Sequence, residues 1–112
     1  MKTPVSQLAT SVGFSLLLFS TAIARPVTTA DLSGKTICWS GGLIKTFYPG
    51  GKSSETTYGE GTWRVTSVGV EMSTKYFTNI YDVQILDDGT LTSHANFGGQ
   101  DYQGTGHFCK KP

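Results

Sequence analysis

The chain has no excess of charge of either sign. Nine Lys and Arg stand against eight Asp and Glu in 112 residues, a formal net charge of +1. That balance excludes a polybasic nucleic-acid binder, whose affinity comes from many phosphate contacts. Cysteine is scarce, with two residues and no Cys-x-x-Cys, so a dithiol redox site has no motif to stand on. Histidine is as scarce, and its two copies lack the short spacings of common zinc sites. No Gly-x-Ser-x-Gly, phosphate-binding loop or dinucleotide fingerprint occurs. No stretch keeps a helical period. Charged residues make up only 15% and aromatics 12%, which excludes an acidic disordered tail.

One apolar run is present. Val12 to Ala24 (VGFSLLLFSTAIA) is uncharged, follows Lys2, and ends in Ala22-Ile23-Ala24 before Arg25-Pro26. It falls short of the roughly 20 residues of a membrane span and has the layout of a signal peptide. The alternative is a buried N-terminal helix or an uncleaved anchor. No Cys follows the small residues, so no lipid anchor is expected. The reading is a signal peptide over 1–24, a flexible leader over 25–33 and a single β domain over 34–112. The protein is expected to be exported, periplasmic or secreted, with no stable membrane span after cleavage. In an oxidising compartment Cys38 and Cys109 are expected to pair, worth roughly 4 kcal/mol by loop-closure arithmetic. That bond would hold the first and last strands of the domain together.

From Lys35 onward the chain alternates β-rich runs with glycine turns. The expected strands are Lys35–Trp39, Leu43–Tyr48, Gly61–Thr66, Val70–Phe77, Ile80–Leu86, Thr90–Phe97 and Gly104–Lys110. Asp88-Gly89 between two such runs is a strong hairpin signal. Alternation puts Trp63 and Val65, then Val70, Met72 and Tyr76, then Tyr81, Val83 and Ile85, then Leu91, Ala95 and Phe97 on apolar faces. Trp63, Tyr81 and Phe108 are the expected aromatic core. Gly51 to Gly59 reads as the longest loop. The fold class is all-β: an antiparallel meander of about seven strands, curled into a small barrel or a flattened sandwich. A barrel so small is expected to be filled by its own side chains, with no large cavity.

Gly61-Thr62-Trp63 opens a strand as Gly-x-Trp. In this it resembles the calycin style of lipocalins, avidins and small bacterial protease-inhibitor barrels, although here two strands precede the motif. The order Gly34–Trp39, Tyr48–Gly50, Gly59–Trp63 and Asp88–Leu91 also resembles short exported bacterial β-meander proteins of unknown function. The resemblance implies fold and export, and no chemistry.

Catalysis needs titratable groups that converge, and the candidates are His94, His107, Glu55, Glu60, Glu71, Asp82, Asp87, Asp88, Asp101 and Arg64. A ribonuclease-like set could be drawn from His94, Glu60, Arg64 and His107, but no spacing favours it over two surface histidines. His94, His107 and Asp101 make no metal motif, and Asp87-Asp88-Gly89 reads as a turn rather than a calcium loop. No catalytic residue, metal or cofactor is assigned. Aromatic residues are the surplus: Trp39, Phe47, Tyr48, Tyr58, Trp63, Tyr76, Phe77, Tyr81, Phe97, Tyr102 and Phe108. Tyr48, Tyr58 and Tyr102 lie in or beside glycine-rich turns, where a partner or sugar could stack. The expected function is a non-enzymatic exported interaction module, with an envelope, inhibitory or virulence-associated role and an unknown protein or cell-envelope partner. The alternatives are a mini-barrel for a small apolar or sugar ligand, and a small secreted ribonuclease-like hydrolase.

Overall fold

The computed structural model describes residues 23–111. The apolar run Val12–Ala24 therefore lies, apart from its last two residues, outside the described residues. The elements in order are β1 (Ala24–Pro26), α1 (Thr29–Leu32), β2 (Lys35–Trp39), β3 (Ile44–Phe47), β4 (Lys52–Glu55), β5 (Gly59–Thr66), β6 (Gly69–Thr74), β7 (Thr78–Leu86), β8 (Leu91–Phe97) and β9 (Gln100–Cys109). Strands β2 to β9 pair antiparallel in chain order, and β9 returns to β2 with Ile37 opposite Phe108 and Cys38 opposite His107. Eight strands thus close an up-and-down barrel, and the flattened sandwich is excluded. Closure leaves β2 and β9 no open edge. The disulfide Cys38–Cys109 lies across this seam, with 5.9 Å between the Cα atoms.

The Asp88-Gly89 hairpin forms as its sequence dictates. The Thr90 amide donates to Asp88 Oδ1 at 2.9 Å, and Gly89 takes φ 87°, a conformation that costs a residue without Cβ nothing. Inward residues alternate along each strand. Ile37, Phe47, Trp63, Val70, Met72, Val83 and Leu91 form the core, with Tyr81, Ile85 and Phe108 half-buried against it. Trp63 meets Phe47 edge to face at 5.3 Å and donates its indole N–H to the Tyr48 carbonyl. Tyr76, expected on the same face as Val70 and Met72, lies past the end of β6 and is exposed.

Two segments depart from the expected pattern. Arg25–Ser33, expected as a flexible leader, is built into the fold. Ala24–Pro26 pairs with Gln84–Leu86 on the half of β7 that β6 leaves uncovered, and Val27 and Leu32 are buried in the core. Helix α1 is held by a capping box between Thr28 and Asp31. Arg25 donates twice to the Asp31 carboxylate, at 2.7 and 3.0 Å. The Gly51–Gly59 stretch contains β4, so nine strands replace about seven. Lys-Ser-Ser-Glu has no β-branched residue to announce a strand. It is recruited by neighbours on both sides, Ser53 pairing with Phe47 and with Gly61.

Candidate functional site

The two ends of the barrel differ. Helix α1 leads straight into β2 and lodges Leu32 in the core, so that end is plugged by the chain's own N-terminal segment. The other end carries the turns after β2, β4, β6 and β8. There a cavity of about 220 Å³ opens, lined by Trp39, Leu43, Lys45, Glu55, Tyr58, Met72, Phe77, Tyr81, Ser93, Ala95, Tyr102 and Gly104, among others. The cavity is small, but it leaves this end of the interior incompletely filled by side chains. The reason is the small side chains of Ser93, Ala95 and Gly104 on β8 and β9, which face aromatics across the barrel without filling the gap.

Each wall follows from strand alternation. Trp39 can fold over the interior because Gly106 lies opposite it; a Cβ at Gly106 would come within 2.6 Å of the indole. Tyr58 packs edge to face on Phe77 at 4.9 Å and leans on Tyr76 at the rim. Phe97 bridges Tyr81 and Tyr102, at 5.7 and 5.0 Å. Burial pushes the Tyr81 phenol above its ordinary value.

The deepest polar feature is an ion pair. Lys45 on β3 stands opposite both Ile37 and Glu55, so both charges point into the barrel. Lys45 Nζ lies 3.3 Å from Glu55 Oε2, and the two side chains are only 4% and 7% exposed. The ammonium also lies 5.8 Å from the centre of the Phe47 ring. Burial pulls the lysine below its ordinary value, and the charge and hydrogen bond of Glu55 act against that shift. Among the described residues Glu55 is the sole hydrogen-bond partner of Nζ. A lysine ammonium carries three donors, so the pair keeps donor and acceptor capacity on the cavity side.

The sequence candidates separate. Tyr58 and Tyr102 line the cavity, with Tyr102 47% exposed at its rim. Tyr48 belongs to the β3–β4 turn at the plugged end, in a cleft with Lys52, Ser54 and Glu60. Its hydroxyl meets Lys111 and Ser54, which together hold its ionisation below the ordinary phenol value. The structure does not bring His94, Glu60, Arg64 and His107 together. His94 is on the outward face 3.5 Å from Asp101, and Arg64 is paired with Glu71. His107 lines a cleft beside Cys38, and Glu60 the one beside Tyr48. A wider polar groove lined by Asp82, Gln84, His94 and Gln103 runs outside β7 to β9. Among the described residues no three His, Cys, Asp or Glu cluster as a metal site would.

Lys45 was absent from the sequence candidates, and Glu55 stood among the titratable ones with nothing to single it out. A signal existed for Lys45, since Leu43, Lys45 and Phe47 recur at the strand period and put the lysine on an apolar face. Comparison with protein-family models, curated proteins and solved structures finds no match to this chain.

Proposed function

We propose that the protein is an exported, non-enzymatic mini-barrel that takes a small apolar ligand into its open end. The observation that carries this is the cavity of about 220 Å³ walled by Trp39, Tyr58, Phe77, Tyr81 and Tyr102 over a buried ion pair. Binding sites combine mostly apolar walls with a few placed polar groups, and eight strands give an interior that can hold one small ligand. The seam disulfide supports an oxidising compartment, periplasmic or extracellular. Among the described residues no helix is long and apolar enough to cross a membrane. The dispersal of the histidines and of Arg64 favours a binding role over hydrolysis.

Titration of the oxidised protein with naphthalene, followed by NMR, tests the reading. Saturable shifts should map to the Trp39 indole and the Ala95 methyl. Ala95→Leu should weaken binding by about tenfold by filling the cavity, with the fold retained. Failure of every small aromatic to bind would refute the reading.

A second reading rests on the rim, where Tyr58, Tyr76 and Tyr102 are exposed around one end. Such tyrosines suit a protein or cell-envelope partner, as in an inhibitor or virulence-associated module. A partner captured by the wild type and lost in Tyr58→Ala/Tyr102→Ala would support it.

A further inference from the structure

We infer that the open end selects a neutral aromatic ligand carrying both a donor and an acceptor, an amide-type head that completes the Lys45–Glu55 pair. The inference rests on the cavity being a binding site and adds its chemical selectivity. Size comes first. An engineered apolar cavity of roughly 150 Å³ holds benzene, so about 220 Å³ accommodates one substituted ring. Charge decides the rest. The floor already carries one positive and one negative group 3.3 Å apart, both almost fully buried. A charged ligand would be drawn to one partner and repelled by the other beside it, while surrendering its own hydration. A neutral head surrenders far less. Nζ can donate to its carbonyl, and Glu55 can accept from its N–H. Both charges then keep their mutual contact and gain the hydrogen bonds that the protein leaves unmade.

The test is a matched series of near-identical shape: benzamide, benzoate and benzamidinium, with toluene as the apolar reference, titrated into the oxidised protein near neutral pH. Benzamide should bind at least about tenfold tighter than either charged analogue, and tighter than toluene. Glu55→Gln leaves Lys45 as the lone charge and should move the preference to benzoate. Lys45→Gln should move it to benzamidinium. A purely structural role of the pair would not reverse selectivity in opposite directions. Benzoate or benzamidinium matching benzamide on the wild type would overturn the inference, as would toluene matching it, with the cavity reading left standing. Should a variant unfold, the wild-type series alone decides. If none of the four binds while naphthalene does, the inference alone is overturned; if naphthalene fails as well, the cavity reading itself fails.

Discussion

Lys45 and Glu55 stabilise one another without making the barrel more stable than an apolar floor would. Desolvating both groups offsets most of their attraction. Lys45→Met alone strands the Glu55 carboxylate among apolar walls and should cost about 3–5 kcal/mol, measured by urea unfolding. Lys45→Met with Glu55→Leu should recover most of that loss, and a double variant as unstable as the single one would contradict this account. Trp63 and Tyr58 could be placed from sequence because aromatics in a short strand or beside a glycine turn have few alternatives. Lys45 could have been, had its period-2 partners Leu43 and Phe47 outweighed its charge. Glu55 could not, because its inward direction depends on pairing with Lys45, and β4 has no strand signal of its own.

The N-terminal segment shows how a four-residue helix escapes pattern reading. Thr28-Thr29-Ala30-Asp31-Leu32 is too short for any helical period, and only Thr28 and Asp31 mark a start. Tertiary burial of Val27 and Leu32 does the rest. Thr28→Ala should therefore cost about 1 kcal/mol by losing the cap. The Arg25 guanidinium, then the Thr28 amide and hydroxyl, hold the Asp31 carboxyl well below the usual carboxylate range. The folded value is lowered, so this contribution is complete above the ordinary value of 3.8 and is lost as the pH falls below it. The stability difference between wild type and Asp31→Asn should narrow on acidification from about pH 6 to about pH 2. A difference that is constant across that range would detach Asp31 from the end plug. The seven strands expected from alternation all appear, Lys35–Trp39 with the expected bounds and six with shifted ends, because each buries an apolar face. The two that do not announce themselves, β1 and β4, are short; β1 depends on β7 far along the chain, and β4 on its hairpin neighbours β3 and β5.

At the scale of the molecule, the disulfide and the β2–β9 ladder hold the same seam. Cys38→Ser should lower stability by about 4 kcal/mol through the 71-residue separation it releases. Melting that is unchanged after complete reduction would contradict that assignment. The seam also sets the order of events in folding. Most strand pairs are hairpins that can form as the chain emerges, but β2 must wait for the last ten-residue strand before its second edge is covered. Such non-local closure belongs to folds that take milliseconds to seconds rather than microseconds. Until Gln100–Cys109 arrives, the half-built sheet has two unpaired edges, on β2 and β8, able to join those of a neighbouring chain. The slow step and the aggregation-prone species are therefore the same one, and both end when a single strand docks.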